Sequence, residues 1–325
     1  DAGAIMFTGS HEYIYNATFI NCTAAGRGGA VFLQDNHNVT FELCVFENNY
    51  AKGIANNTWA NYTQERNEAN DDTKVDYKLT GHGGAVAFDV NAKDCKIIDS
   101  NFTQNLARRN GGALNFDDGS TNNMVKNCRF DNNTVYDDGG AINFGKGSDF
   151  CSIIDTIFYN NTGQGRFTST TKGGTICLEG SNITIDGSKF ILGAAYANVT
   201  EGAKLNQTDG GALFVTGNYV NITNTEFDSC YAPNYAGAIK VIGNYIKVDN
   251  CTFENCTMNG VVNLIMDTDV TDFVAIEDCT YDFDATTDVI ASEDNENHYV
   301  NATKLKSPAV DSVVDISSSE KGSAI

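Results

Sequence analysis

Basic residues are scarce in this chain of 325 residues: 21 Lys and Arg stand against 42 Asp and Glu, a net charge of −21. A chain so acidic repels phosphate backbones, which are bound by Lys and Arg that displace counterions, so nucleic acid is excluded as a partner. An anionic membrane surface is disfavoured on the same ground. No run approaches the ~18 apolar residues of a membrane span, so no membrane insertion is expected. Two Pro and one Trp are few, and ten Cys are too thin a supply for a disulfide scaffold. No pattern of paired CxxC motifs indicates a zinc site. Apolar residues nevertheless make up 41% of the chain, enough for a core and too many for a disordered acidic tail.

What the chain has in quantity is repetition. A Gly-Gly-Ala-aliphatic segment recurs as GAIMF (3–7), GGAVFL (28–33), GGAVAF (83–88), GGALNF (111–116) and GGAINF (139–144). It continues as GGTICL (173–178), GGALFV (210–215), AGAIKV (236–241) and a worn GVVNL (260–264). Each copy is followed by a Phe-x-x-Asn type element: FINC (19–22), FENN (46–49), FTQN (102–105), FDNN (130–133), FYNN (158–161), FILG (190–193), FDSC (227–230), FENC (253–256) and a degenerate YDFD (281–284). From the first residue of the Gly pair to the Phe is 17 to 19 residues in the clear copies. From the Phe to the next pair is 9 residues in the short cycles, but 37 after Phe46, 15 after Phe158 and 20 after Phe190. One edge of the unit thus accepts insertions and the rest does not.

A period in the twenties indicates a solenoid. Alternation of apolar and polar residues in Asn38–Leu43, Asn182–Asp186 and Tyr219–Asn224 has the period of a strand, and no helical pattern survives. Gly and Asn punctuate the runs where the chain must turn. The spacing therefore predicts an all-β, right-handed parallel β-helix of about nine coils, its hand following strand twist and the crossover rule. At about 4.8 Å per coil the rod is roughly 40 Å long. Its predicted interior has an aromatic column (Phe19, Phe46, Phe102, Phe130, Phe158, Phe190, Phe227, Phe253, Tyr281) and, five residues earlier, a column of Ile and Val with Phe41 among them. Asn49, Asn105, Asn133 and Asn161 form an amide ladder. Most Cys fall in columns otherwise held by Ser, Thr, Ala or Asn and read as small buried residues. Cys230 with Cys256, and Cys251 with Cys279, share columns where a disulfide is conceivable in an oxidising compartment.

The paired GGA(I/L/V) and FxxN motifs resemble the repeats of bacterial polymorphic outer-membrane proteins and of the adhesin-like surface proteins of methanogenic archaea. The resemblance spans residues 3 to about 284 and implies an extracellular, cell-surface right-handed β-helix concerned with adhesion; it brings no catalytic residue. On this reading residues 1–284 are the β-helix, with edge insertions at 50–80, 162–172 and 194–209. Residues 285–325 are a C-terminal cap and the start of a linker to a further domain, the Ser-rich run at 317–323 being linker-like. Asp1 falls inside a repeat, so the coils are free to continue before it.

The insertions carry the expected chemistry. Tyr50, Trp59, Tyr62 and Tyr77 in the first and Tyr196 in the third are aromatics among amides and carboxylates, a composition that suits sugar rings. The expected partner is a glycan or protein on another cell. Asp117, Asp118, Asp137 and Asp138, near corners of neighbouring coils, are candidate ligands for Ca²⁺; no other cofactor is implied. Fifteen Asn-x-Ser/Thr tripeptides occur, of which Asn56, Asn61, Asn198 and Asn206 lie in insertions and are candidate glycosylation sites. Two alternatives compete with adhesion. A polysaccharide lyase or glycoside hydrolase needs a matched carboxylate set; Gly81-His82-Gly83 resembles an element of pectin-hydrolysing β-helices, but the accompanying Asp and Arg-x-Lys pattern is missing. A structural stalk needs no site at all. The expectation is an adhesin-like binder and not an enzyme.

Overall fold

The computed structural model describes residues 1–53, 81–165, 171–196, 208–233, 236–258, 261–262, 265–266, 274–277 and 280–282. Every strand of its three main ladders pairs in parallel with the equivalent strand one coil on, and each ladder has nine strands. The first sheet runs through Ile5–Phe7, Val31–Leu33, Val86–Phe88, Leu114–Phe116, Ile142–Phe144, Ile176–Leu178, Leu213–Val215, Ile239–Val241 and Ile265–Met266. The second begins at Tyr13–Tyr15 and ends at Val274–Glu277; the third begins at Thr18–Ile20 and ends at Thr280–Asp282. The described residues contain no helix, and none long and apolar enough to cross a membrane. The architecture is the expected all-β parallel β-helix.

Register follows the interior columns. Phe46, Phe102 and Phe130 pair in line on successive coils, and the column runs from Phe19 to Tyr281. Its Phe rings stack at 4.6–5.1 Å between centroids, from Phe19 through to Phe253. Each stacked pair adds about 1 kcal/mol to the gain from burial. A second aromatic stack, which the spacing did not reveal, joins Phe88, Phe116 and Phe144 on the first sheet at 4.5 and 4.8 Å.

Two corners explain the motifs. After the Phe, the second residue on is held at positive φ (Asn48 at 53°, Asn132 at 55°, Asn160 at 51°), a conformation Asn tolerates better than most residues. The next residue then points inward. Asn49, Asn105, Asn133 and Asn161 all do so, and their side chains form the predicted amide ladder at 2.9–3.0 Å. Each Nδ2 also donates to the carbonyl of the Phe on the preceding coil, and each Oδ1 accepts a backbone N–H as well. The amide thereby satisfies the polar groups that a tight corner leaves inside an apolar core. At the corner before the Phe, a small X–H group donates to the carbonyl two residues earlier: Ser100 Oγ at 2.7 Å, Thr156 Oγ1 at 2.9 Å, Cys128 Sγ at 3.2 Å. Cysteine here replaces a hydroxyl as a weak donor, and the nine described cysteines are free thiols; Cys279 lies outside the described residues.

The Gly pair divides its tasks. The first Gly takes positive φ, as at Gly111 (67°) and Gly139 (71°). The second, such as Gly112, lies so close to the backbone of the next coil that a Cβ would collide with the Gly140 carbonyl.

A fourth, shorter ladder was not anticipated. Thr23–Ala24, Tyr50–Ala51, Leu106–Ala107, Thr134–Val135, Thr162–Gly163 and Ala194–Ala195 pair coil to coil. It takes in residues 50–51, 162–163 and 194–195, which the spacing alone assigned to the insertions. Thr171–Lys172 and Thr208–Asp209 pair with each other where the chain rejoins the rod.

Replacing Asn133 by Ala removes four side-chain hydrogen bonds and takes the partner from the buried Asn105 backbone N–H. A loss of about 3 kcal/mol in denaturant unfolding is expected. Leu192 sits at φ 56° and is 40% exposed where other coils place Asn. Leu192→Asn should raise stability by up to about 1 kcal/mol in the same assay.

Candidate functional site

The first sheet is unusual in being buried on both faces. In Val31–Leu33 through Ile239–Val241 every residue is buried. Residues such as Val31 and Leu33 belong to the interior cluster, while Phe32 and Phe214 between such pairs do not and face outward. The outward row reads Phe32, Ala87, Asn115, Asn143, Cys177, Phe214 and Lys240 along the rod.

Ionisable side chains line both edges of this row. Before the strands stand Arg27, His82, Arg109, Asp137, Asp138, Lys172 and Asp209; after them stand Asp89, Asp117, Asp118 and Glu179. Two ion pairs cross the face from edge to edge. Arg27 reaches over the Phe32 ring, 4.1 Å from its centroid, to Asp89 at 2.8 Å, and also meets Asp1 at 3.4 Å. Lys172 meets Glu179 across its own coil at 3.5 Å, with its ammonium 5.7 Å from the Phe214 centroid. Between these crossings, beside Asn115 and Asn143, the ion pair of Arg109 with Asp137 at 3.5 Å runs along one edge of the face. The floor there is a pair of amides: Asn143 Nδ2 donates to Asn115 Oδ1 at 2.9 Å, and the residues are 4% and 1% exposed.

The carboxyls flanking this floor are perturbed. Burial, and then the Asp137 carboxylate beside it, push the Asp138 carboxyl up to about 8; its Oδ1 accepts the Lys172 backbone N–H at 2.8 Å. Burial also raises Asp117, with Asp118 and Asp89 adding repulsion. Burial pushes Cys177 far up, so its thiol is inert as a nucleophile at neutral pH.

The four Asp singled out as Ca²⁺ ligands do not come together. Asp117 and Asp118 follow the strand Leu114–Phe116, whereas Asp137 and Asp138 precede Ile142–Phe144, so the pairs occupy opposite edges of the sheet. Asp118 Oδ1 accepts the Lys146 backbone N–H at 2.9 Å, a turn contact. No group of three or more His, Cys, Asp or Glu among the described residues is arranged to hold a metal ion. Of the candidate sugar-binding aromatics, Trp59, Tyr62 and Tyr77 lie outside the described residues. Tyr50 is half-buried in the fourth ladder, its ring centroid 5.9 Å from the Lys52 ammonium. Tyr196 is exposed beside Tyr231, ring centroids 5.6 Å apart. Asn56, Asn61, Asn198 and Asn206 also lie outside the described residues. In the rod itself most sequons begin at a corner Asn of positive φ, such as Asn16, Asn21, Asn38, Asn132, Asn160, Asn182, Asn250 and Asn255. Corner Asn and strand Thr create them as a by-product of the fold.

Against known proteins, residues 3–190 match the family described as right-handed β-helix region. The chain belongs to that family, and its coils are right-handed. No curated protein matches. Among solved structures the chain is similar to the catalytic domain of a GH87 α-1,3-glucanase in complex with nigerose, at 10% identity and a TM-score of 0.41, covering 93% of this chain and 63% of that one. It is also similar to the catalytic domain of a variant GH87 α-1,3-glucanase in complex with tetrasaccharides, at 10% identity and a TM-score of 0.30, covering 93% and 64%. The chain thus spans less than two thirds of the domains it resembles. The expectation that the chain is not an enzyme is corrected here: the solved folds it resembles are catalytic domains. At this distance the likeness assigns no activity and no substrate.

The raised Asp138 carboxyl gives a signed prediction. Its folded-state value lies above the ordinary one, so the folded chain holds a proton that the unfolded chain releases. Stability from this group is full below about pH 4 and is lost as pH rises to about 8. In Asp138→Asn, thermal melts across that window should show a flatter pH dependence than the parent chain.

Proposed function

We propose that the chain is an adhesin-like, extracellular glycan-binding protein, resembling the GGA/FxxN-repeat surface proteins, whose β-helix presents a binding strip along one edge. The observation that carries this reading is the common root of the three interruptions. Their described ends, Gly53 and Gly81, Gly165 and Thr171, Tyr196 and Thr208, all lie between the fourth ladder and the first sheet. That is the edge along which Arg27, Arg109, Asp137, Asp138 and Lys172 are ranged. A rigid scaffold that confines its variable segments and its ionisable groups to one strip is built as recognition proteins are. Tyr196 is exposed, and Trp59, Tyr62 and Tyr77 of the first insertion are of the same aromatic type, suited to sugars.

Cleavage of the bound glycan is a second reading, and one observation favours it. A carboxyl that stays protonated at neutral pH, such as Asp138, can serve as a general acid, and a second carboxyl, that of Asp137, stands beside it.

Incubation of the purified chain with a panel of polysaccharides, scoring retention and newly released sugar ends, tests both. Retention is expected, and Trp59→Ala should weaken it about tenfold with the fold intact by circular dichroism. Release that disappears in Asp138→Asn, and that falls in the parent chain as pH passes about 8, would establish cleavage. A folded sample that neither retains nor releases any member of the panel would overturn the glycan reading.

A further inference from the structure

We infer that a notch in the corner between the first and second sheets, walled by Phe150 and Tyr219 and floored by Asn182, binds a pyranose whose hydroxyls are all equatorial, such as a glucosyl unit of a β-linked glucan. The notch lies on the other side of the first sheet from the insertion roots and is independent of that edge.

On eight successive coils one residue turns this corner at φ between 55° and 69°. From His11 to Tyr219 its backbone N–H donates to the carbonyl just before its counterpart on the next coil, which fixes these residues in one column. The first four are His11, Asn38, Asp94 and Asn122, types that accept the left-handed region. The next four are Phe150, Asn182, Tyr219 and Tyr245. A bulky ring in that region is strained, and three of these four coils carry one. Burial does not offset the strain: Phe150 is 62% exposed, Tyr219 53% and Tyr245 41%. Stacking does not account for Phe150, which stands between Asn122 and Asn182. Backbone strain of this kind, concentrated in one place, is characteristic of ligand clamps.

The spacing of the column gives the notch its width. Tyr219 and Tyr245 stack with ring centroids 4.7 Å apart and planes 2° from parallel, so one coil step brings two rings of this column into contact. From Phe150 to Tyr219 is two steps, roughly 9–10 Å. The residue between them is Asn182, which is exposed and has a side chain shorter than a ring. The column therefore has a gap, open to solvent, of the thickness of one ring.

Walls and floor select the occupant. An aromatic ring takes C–H surface, and the amide of Asn182 offers both donors and an acceptor. In the same column Asn122 donates its Nδ2 to Asp94 Oδ1. Asn182 has an aromatic residue on either side, so the column gives its amide no such partner. A pyranose with all hydroxyls equatorial shows C–H to both faces and carries its hydroxyls around the rim, so it meets two rings and an amide at once. An axial hydroxyl would be pressed against one of the rings and lose its water. A planar aromatic ring would fill the gap but bring no hydroxyl to the amide.

The test is saturation-transfer NMR of the full chain, irradiating its aromatic protons, with cellotetraose as probe and β-1,4-galactotetraose and β-1,4-mannotetraose as controls that carry an axial hydroxyl on each unit. Saturation of cellotetraose protons on both faces of the sugar ring is expected, with the controls roughly fivefold weaker. Phe150→Asn and Tyr219→Asn put the residue type of the earlier coils at this corner, so the melting temperature should hold while the signal falls about tenfold in each. Asn182→Tyr fills the notch and should abolish the signal, and Trp59→Ala should leave it unchanged. Saturation of one face alone, equal saturation of the controls, or no saturation of cellotetraose overturns the inference. A signal that survives all three notch variants but disappears in Trp59→Ala also overturns it, and leaves glycan binding at the insertion-bearing edge standing.

Discussion

Each coil of this molecule must turn its corners at the same positions as the coil beneath it, because every strand of the three main ladders finds its hydrogen-bond partners one coil away. A parallel ladder tolerates no slip: a shift of one residue would exchange the interior and exterior sets of side chains. The inward Phe column, the saturated amide ladder and the Gly pair are three ways of meeting that one demand. The Phe rings set register by stacking, the amides set it by directed bonds, and the glycines remove the side chains that would hold neighbouring corners apart. Cysteine, serine and threonine interchange at the remaining corner because all three supply the short X–H donor it requires.

The same demand explains where variation is allowed. Between the fourth ladder and the first sheet the chain leaves one coil to reach the Gly pair of its own next turn, and an excursion there leaves both flanking ladders paired. Thr171–Lys172 and Thr208–Asp209 show the chain returning to register after such an excursion. The ionisable row beside those roots is the part of the molecule where burial and charge are least explained by stacking. Arg27 and Lys172 cross the outer face, and Asp138 carries a proton that an ordinary surface carboxyl would lose.

How much of this could be read from residues alone depended on repetition. The Phe column and the amides of 49, 105, 133 and 161 recur at fixed distance from a conspicuous motif, so aligning the cycles brings them into line without any knowledge of the third dimension. The stack of Phe88, Phe116 and Phe144 is continuous over only three coils, parted from Phe7 by Leu33 and followed by Leu178, Val215 and Val241, so the column does not stand out as the other does. The fourth ladder escapes it too, since two-residue strands such as Thr134–Val135 leave no period to detect. The site was harder still. Asp89 and Arg27, or Lys172 and Glu179, meet across a strand, and nothing in their separation along the chain announces it. Asp117 and Asp138 looked close because their coils are adjacent; they are parted because one follows its strand and the other precedes it. The exclusion of an enzyme failed for a related reason: it rested on the absence of a motif written in contiguous residues, whereas ionisable groups here are assembled across coils.

One break in the interior column has a mechanical meaning. The amides end at Asn161, the next coil places Gly193 in that position, and a thiol, Cys230, follows. The strand-to-strand hydrogen bonds run nearly along the rod, so a pull from end to end is carried by the coils in series, each bearing the whole load. Such a chain of links parts at its weakest member. In that column Gly193 has no side chain to donate to the coil of Phe158, so the amide bonds that reinforce the earlier coils stop there. Under tension the molecule would separate there first, shedding a short end and leaving the amide-laced coils from Asn49 to Asn161 as the segment that holds.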